Sequence, residues 1–384
     1  MPTYFILQKN IEQKSFYIFQ LFQQKMKHLN ALNTIHGLGP GNMKKLMSFF
    51  GSSKLIWNAN ISELMEAGVN EILAQKIVLA RPTINIEQQW AKLEQEDVIA
   101  ISLDDDRYPA LLKQIPDNPY VIYMKGDLTC LDLPLVAIVG SRKLTEYGQR
   151  ATRGFARDLA NSGICVVSGL AFGVDAQAHL GALEAKGRTI AVLGNSLDRA
   201  SIYPKTNLQL SEEILRSGGL LISEFPIKTK AEVWTFPARN RIMAGMSLGT
   251  LVIEAAEKSG TIITANLALD YNREVFAVPG SIFSPQSIGT NRLIKAGAKL
   301  VTSVNDILTE LRLENQHEIA SESVIMSLTD NEKIVHKFLS HEAIHIDRIA
   351  KLTKLDTSII SSILAILEIK SVVKNVGGQN YIRL

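Results

Sequence analysis

Residue types that bind phosphate stand at the end of a predicted buried strand near the middle of the chain. The segment VAIVGSRKLTEYGQ, residues 136–149, runs from this strand into a glycine turn that carries Arg142 and Lys143, and then into a helix. The N–H groups of a helix N-terminus bind phosphate, and an arginine side chain does so bidentately. The turn therefore predicts a contact with one phosphate group.

A dinucleotide is not the expected ligand of this turn. The fingerprint G-x-G-x-x-G needs a second glycine to admit a pyrophosphate, but Ser141 and Arg142 follow Gly140 here. The next predicted strand ends at Ser168-Gly169 without an acidic residue that could bind a ribose. We therefore expect neither NAD nor another cofactor.

Later strand ends carry cations of the same kind. Lys205 follows the third strand of the series, and the loop after the fourth strand ends with Arg239 and Arg241. After the second strand, the glycines beside Phe172 let a backbone approach closely, and Phe172 itself either stacks on a base or packs in the core. Because ligands of parallel sheets bind at the carboxyl ends of the strands, we expect these cations to share one rim.

The candidates for catalysis do not form a recognisable site. Asp175 and His179 lie four residues apart on one helical face, but Asp175 more simply caps the helix that begins there. No nucleophile stands beside a base at a known spacing. The acidic run 104–106 lacks further ligands and is predicted to be a turn. We expect neither a metal site nor an enzyme.

The elements that must position these residues form an α/β domain, predicted over residues 85–313. A helix near Ile86–Glu96 and a strand Val98–Ser102 come first, and short apolar runs alternate with helices from Leu135 onward. Strands that are apolar throughout are typical of a parallel sheet covered on both faces. The expected fold is an extended, doubly wound Rossmann-like sheet.

Residues 1–84 are predicted to form a helical domain of the SAM or helix-hairpin-helix type. Ile35-His-Gly-Leu-Gly-Pro-Gly41 places turn glycines before Lys44 and Lys45, which predicts a secondary contact with a DNA phosphate. In the alternative interpretation these glycines only cap the helices of a small bundle. Residues 1–54 hold seven lysines and one acidic residue, which favours a polyanionic partner.

Residues 314–326 are polar and predicted to be a linker, and residues 327–384 are predicted to form a winged helix. Three helical stretches precede a hairpin that is expected to turn at Gly377-Gly378. The third helix, Asp356–Ile369, presents isoleucines and leucines, whereas a helix that reads bases needs arginine, lysine or amides. We therefore expect this domain to contact protein or to pack within the chain.

The composition narrows the class of protein. With 384 residues, 46% of them apolar, the chain is expected to fold into two or three globular domains. Cys130 and Cys165 lie far apart in apolar segments, which favours reduced thiols over a disulfide framework. We find no export signal and no apolar run near the roughly 20 residues of a membrane span, so no membrane association is expected.

Eight motifs follow one another along the chain from the predicted strand at Val139 onward. They are Val139-Gly-Ser-Arg142 with Tyr147-Gly148, Ser168-Gly-Leu-Ala-Phe-Gly-Val-Asp-Ala-Gln-Ala-His179, Ile202-Tyr-Pro-Lys205, Ser223-Glu-Phe-Pro226, Arg239-Asn-Arg-Ile242, Glu254-Ala-Ala-Glu-Lys-Ser-Gly-Thr-Ile-Ile-Thr-Ala265, Arg273-Glu-Val-Phe-Ala-Val-Pro-Gly280 and Gly289-Thr-Asn-Arg-Leu-Ile-Lys-Ala-Gly297. Together they resemble one family, the DNA-processing protein DprA (Smf) family, densely from about Asp104 to Leu311. The resemblance implies a cytoplasmic homodimer of natural transformation that binds and protects single-stranded DNA and loads the RecA recombinase. The chain departs from the family at Ser196, where the family usually has glycine, and in a longer segment before Tyr203.

The predicted DNA contacts combine this resemblance with the cations of the same loops. They are Gly140, Ser141, Arg142, Lys143, Gly169, Phe172, Lys205, Asn207, Arg239, Asn240 and Arg241. These residues place cations along the phosphate backbone of the DNA and offer few side chains that could recognise base edges. They therefore predict that single-stranded DNA binds with little sequence preference and that the affinity falls as the salt concentration rises.

The sequence is also compatible with two other functions. One is a nucleotide-binding enzyme like the phosphoribohydrolases, with Glu254 beside a phosphate turn at Ser259–Thr261, although the Pro-Gly-Gly motif of those enzymes is absent. The other is a regulator that binds duplex DNA through the winged helix, which the apolar third helix disfavours.

Overall fold

The computed structural model describes residues 23–313, 328–340, 343–353, 355–369 and 372–383. They form two compact units, the first ending at Leu311 and the second beginning at Arg312. The predicted linker, residues 314–326, lies outside the described residues. No helix within the described ranges combines the length and the hydropathy of a membrane span.

The N-terminal part of the first unit is helical, as predicted. Gly39 is the N-cap of α2 (Pro40–Phe50), and Gly51 closes that helix in a left-handed conformation with φ of 66°, its N–H donating to the Met47 carbonyl. Tyr123 of the sheet donates from its buried hydroxyl to Asn30 Oδ1 at 2.9 Å, and one apolar core continues across the boundary predicted at residue 84. The helices are α1 (23–33), α2 (Pro40–Phe50), α3 (Ser53–Asn58), α4 (Ile61–Glu66), α5 (Glu71–Ala80) and α6 (Ile86–Gln95).

A nine-stranded sheet forms the centre of this unit. Its strands are β1 (Ile99–Ser102), β2 (Val121–Gly126), β3 (Leu135–Val139), β4 (Cys165–Ser168), β5 (Thr189–Leu193), β6 (Leu220–Ser223), β7 (Gly249–Val252), β8 (Glu274–Ala277) and β9 (Lys299–Leu300). Their order in the sheet is β1-β2-β6-β5-β4-β3-β7-β8-β9. The seven strands β3 to β9 pair in parallel, and β2 and β1 continue the sheet beyond β6 with antiparallel pairing. This confirms the predicted doubly wound, Rossmann-like sheet, although β2 and β9 were not predicted.

Helices cover both faces of the sheet because its central strands are apolar on both sides. In β5, Ala191 and Leu193 belong to the core that includes α10 (Leu208–Arg216), while Ile190 and Val192 belong to the core that includes α11 (Thr235–Met246). The helices are α7 (Ala110–Gln114), α8 (Glu146–Asn161), α9 (Val174–Glu184), α10 (Leu208–Arg216), α11 (Thr235–Met246), α12 (Gly260–Asp270), α13 (Ile288–Lys295) and α14 (Val304–Leu311).

The second unit has the helix and strand order of a winged helix, as predicted. Its hairpin turns at Gly378-Gln379, one residue later than expected, and both residues have positive φ. The third helix buries Ile360 and Leu364 but exposes Ile359 and Ile366, and none of its residues is basic. The elements are α15 (Asp330–Lys337), β10 (Ile344–His345), α16 (Ile346–Thr353), α17 (Thr357–Ile369), β11 (Val373–Gly377) and β12 (Asn380–Arg383), with the sheet order β10-β12-β11.

Candidate nucleic-acid interface

A cavity of about 600 Å³ opens at the carboxyl end of the parallel strands. Strand β3 lies between β4 and β7, where the strand order reverses, and a ligand site is expected at this switch point. The walls are the turn after β3, the first half of α11, and the start of α12 with the loop before it. Among the predicted contacts, the cavity is lined by Gly140, Ser141, Arg142, Lys143, Arg239 and Asn240.

Arg142 stands at this cavity in contact with an aromatic ring. Its guanidinium carbon lies 5.1 Å from the centre of the Phe236 ring, and that ring lies 6.0 Å from the ring of Tyr203. Tyr203 is 46% exposed, so an aromatic surface continues from the cation toward solvent. Tyr203 and Phe236 were not predicted as site residues. A signal was present in the sequence, because Tyr203 lies in a segment that follows β5 and Phe236 in a segment that follows β6, where ligands of such sheets bind.

The N-terminus of α8 does not take part in the way that the sequence suggested. The carboxylate of Glu254 accepts from the N–H of Thr145 at 3.0 Å and from its hydroxyl at 2.5 Å, and Thr145 in turn caps α8. The N–H of Ser141 donates to the Glu254 carbonyl at 2.8 Å. These donors are satisfied by protein, and the Glu254 carboxylate places a negative charge at the start of α8, which disfavours a phosphate on this helix N-terminus. The side chains of Arg142 and Lys143 remain for that role.

Arg239 lies on α11 and not in a loop, and it is 3% exposed. Its Nη1 donates to the Val192 carbonyl at 2.7 Å, and its Nη2 lies 3.9 Å from Asp175 Oδ2. Burial lowers the pKa of Arg239, and the Asp175 charge opposes this effect. A Cβ at Gly169 would overlap with Nη1. Gly169 therefore makes room for this guanidinium, whereas the sequence suggested that it admits a ligand.

Arg241 does not line the cavity, which corrects the prediction that it shares the rim. Its Nη2 donates to Glu224 Oε1 at 2.5 Å, and its Nε lies 3.9 Å from Asp117. Arg241 and Glu224 are both buried. Because residues two apart on a helix lie on different faces, Arg239 and Arg241 cannot both face the cavity.

The other predicted cations lie outside the cavity lining. Lys205, two residues after Tyr203 in the sequence, is exposed and donates to the Ala200 carbonyl. Lys44 donates to the Pro116 carbonyl at 2.8 Å, and Lys45 to the Gly68 carbonyl at 3.4 Å. The secondary DNA contact through Lys44 and Lys45 stays a prediction.

Two further predicted contacts belong to the neighbouring β4 loop. Asn207 donates to the carbonyls of Leu170 and Ala171, at 2.9 and 3.2 Å, and so supports that loop. Phe172 of the same loop is 43% exposed, which is compatible with stacking on a base.

The structure does not join Asp175 and His179 into an acid–base pair. His179 is fully buried, its Nδ1 lies 2.8 Å from Thr189 Oγ1, and burial lowers its pKa to about 3. Burial raises the pKa of Asp175, which accepts from the N–H of Ala171. The N-cap of α9 is Gly173, so the prediction that Asp175 caps the helix was wrong.

Metal ligands do not gather within the described residues either. No group of three or more His, Cys, Asp or Glu side chains there could hold a metal ion. The acidic run 104–106 forms a turn, as predicted, and Asp104 accepts from Lys25 and Tyr120.

The fold and the site define a Rossmann-like protein with a cationic cavity at its switch point and a separate winged helix. The family model of DNA recombination-mediator protein A matches residues 99–312, and that of the DprA winged helix domain matches residues 320–379. The chain belongs to the DNA recombination-mediator protein A family, as its motifs indicated.

Relatives are similar over more than half of the chain. The DNA processing protein DprA of Bacillus subtilis is 39% identical over 268 residues, which are 67% of this chain and 89% of that protein. The structure of DprA from Streptococcus pneumoniae matches with a TM-score of 0.64 and 34% identity, covering 74% of this chain and 97% of that one. DprA from Helicobacter pylori, whose structure is described for its single-stranded DNA binding mode, matches with a TM-score of 0.50 and 33% identity, covering 56% and 96%.

Proposed function

We propose that this protein binds single-stranded DNA across the cavity at the switch point and acts in recombination as a mediator. The observation that carries the proposal is Arg142, exposed at the cavity and stacked on Phe236, beside the exposed ring of Tyr203. A cation beside aromatic rings is suited to single-stranded DNA, because the cation binds the phosphate backbone and the rings stack on the bases. Membership of a recombination-mediator family supports the same role.

The finer function extends this proposal. The protein would protect single strands that enter the cytoplasm during natural transformation and load the RecA recombinase onto them, acting as a homodimer and without a reaction of its own. Glu254, the carboxylate that a nucleotide-cleaving enzyme would need, is engaged with Thr145 and is absent from the cavity lining.

Binding is tested by fluorescence anisotropy with labelled oligo-dT and with a duplex of the same length. We expect tighter binding to oligo-dT, falling as salt rises, and no release of free base from nucleoside monophosphates. Equal binding to both DNAs, without salt dependence, would contradict the proposal. RecA loading is tested separately, by the rate of RecA filament formation on DNA already covered by a single-strand binding protein. Sedimentation of the protein tests the dimer.

A further inference from the structure

Two loops beside the cavity are held together as one surface. They are residues 194–207, after β5, and residues 224–234, after β6, and we call them the double loop. Asp198, which is 5% exposed, joins them. Its carboxylate accepts from the Ser201 hydroxyl of its own loop at 2.8 Å and from the Lys228 N–H of the other loop at 2.9 Å. Because the joining carboxylate is buried, the two loops keep a fixed position relative to each other.

The double loop presents a basic surface. Three of its side chains are exposed lysines that form no ion pair within the described part of the chain, namely Lys205, Lys228 and Lys230. The double loop also holds three acidic residues, and each of them accepts a hydrogen bond within the protein: Asp198, Glu224 and Glu232. The lysine charges are therefore available to a polyanion.

Lys228 stands at a backbone position that favours glycine. Its φ is 73°, in the left-handed region, where a residue with a Cβ is strained. The hydrogen bond from its N–H to Asp198 holds the backbone in this conformation. Glycine would remove the strain, so a lysine at this position indicates that its side chain has a function.

The double loop adjoins the cavity through apolar and aromatic side chains. The ring of Tyr203 lies 6.0 Å from that of Phe236, which lines the cavity, and Val233 of the second loop lines it as well. Lys228 lies at the other end of the double loop, after β6. In the sheet, β6 is three strands away from β3, about 14 Å at the usual strand spacing of about 4.8 Å. A DNA strand bound at Arg142 would therefore have to leave the cavity to reach Lys228.

We propose that the double loop binds the stretch of single-stranded DNA that leaves the cavity, with Lys205, Lys228 and Lys230 as the partners of its phosphates. This inference rests on the proposed function, in which the cavity holds the strand at Arg142. The strand would pass over the exposed ring of Tyr203 between the two places. Lysines bind the backbone and not the bases, so this stretch would be held without sequence preference and would be released by salt.

Lys228→Gly tests the double loop in the full-length protein. The variant loses the charge and also the backbone strain, which offsets the greater freedom of glycine in the unfolded chain, so its Tm should stay close to that of the unmodified protein. The matched control is Lys186→Gly: Lys186 is also exposed and has φ of 54°, but it precedes β5 at the opposite end of the strands. This control should bind oligo-dT like the unmodified protein.

The expected loss follows from the release of counterions. Each phosphate that is no longer neutralised lowers the slope of log K against log salt concentration by about 0.7, so affinity should fall about fivefold at about 0.1 M salt and stay unchanged near about 1 M. We expect this result with long oligo-dT for Lys228→Gly and for Lys230→Ala. Fluorescence anisotropy at several salt concentrations measures it.

The length of the oligomer separates the double loop from the cavity. Lys228→Gly should weaken binding only of oligo-dT that is long enough to extend beyond the cavity, whereas Arg142→Ala should weaken short and long oligomers alike. If Lys228→Gly has the same effect at every length, or none at any length, the inference is wrong, and the proposed function stands as long as Arg142→Ala weakens binding. If Arg142→Ala binds like the unmodified protein, the proposed function fails and the inference fails with it.

Discussion

Arg142 and Phe236 face each other across the mouth of the cavity, with 5.1 Å between the guanidinium carbon and the ring centre. The arginine belongs to the turn after β3 and the phenylalanine to α11. Within the described residues, Arg142 makes no ion pair with a carboxylate, and its guanidinium contacts the uncharged ring of Phe236 instead. A cation–π contact holds the side chain while leaving its charge available to an anion.

Removing this charge should weaken DNA binding. We expect Arg142→Ala to reduce the affinity for oligo-dT by about 1–3 kcal/mol, because a phosphate then has no charged hydrogen-bonding partner at this position. The slope of log K against log salt concentration should fall by about 0.7 for each phosphate of a single strand that the protein no longer neutralises. Fluorescence anisotropy at several salt concentrations measures both effects. Arg150→Ala, which removes an exposed arginine of α8 outside the cavity, is the control. Equal affinities of the two variants would refute the assignment.

The aromatic surface should contribute through the bases. We expect Tyr203→Ala to weaken binding to oligo-dT by about 1–3 kcal/mol, the usual value of one base stacked on an aromatic side chain. The same variant should not change binding to an oligomer of abasic sites, since no base remains to stack. Tyr147→Ala serves as the control, because Tyr147 is exposed but donates to the Pro279 carbonyl and does not line the cavity. An equal loss on both oligomers would argue against stacking.

The buried pair Arg241–Glu224 should act on stability. Breaking a buried ion pair leaves an uncompensated charge, so Arg241→Met should lower the free energy of unfolding by about 3–5 kcal/mol. Replacing both partners, as Arg241→Met with Glu224→Leu, should recover much of this loss. Denaturant unfolding of the three proteins measures the difference. If Arg241→Met instead kept its stability and bound oligo-dT more weakly, Arg241 would belong to the DNA site, as the sequence first suggested.

Buried His179 predicts a dependence of stability on pH. Its pKa is about 3 in the folded chain, against an ordinary value of 6.5, so the unfolded chain binds the proton more tightly. The free energy of unfolding should therefore fall as pH drops from 6.5 toward 3, by up to about 1.4 kcal/mol per unit. Burial raises the pKa of Asp175 and of Glu224, which act in the opposite direction. Unfolding of the wild type and of His179→Asn between pH 4.5 and 6.5 isolates the histidine: the variant should show the shallower dependence, and parallel curves would contradict it.

The sheet was predictable because its signal is local, whereas the partners of the polar residues were not. Apolar runs flanked by glycine turns indicated β3 to β8, and the parallel pairing followed from the alternation with helices. Strand β9 has only two residues, Lys299–Leu300, too few for a pattern to show. The sequence located Arg239 and Arg241 after a strand but could not show that they lie in a helix. The direction in which each arginine side chain points from that helix depends on a carboxylate far away in the sequence, Asp175 for Arg239 and Glu224 for Arg241.

Glycine is needed at position 148 because the carboxylate of Glu254 occupies the space of a side chain there. A Cβ at Gly148 would overlap with Glu254 Oε2. The protein thus carries its own anion at the start of α8, where it accepts from Thr145 and repels a second negative charge. In the proposed function, the attraction of this wall for DNA then depends on a few long side chains, which single substitutions can remove, and not on the main chain, which they cannot remove. Evolution can therefore adjust how tightly the proposed site binds single-stranded DNA without altering the β-sheet that carries the turn after β3.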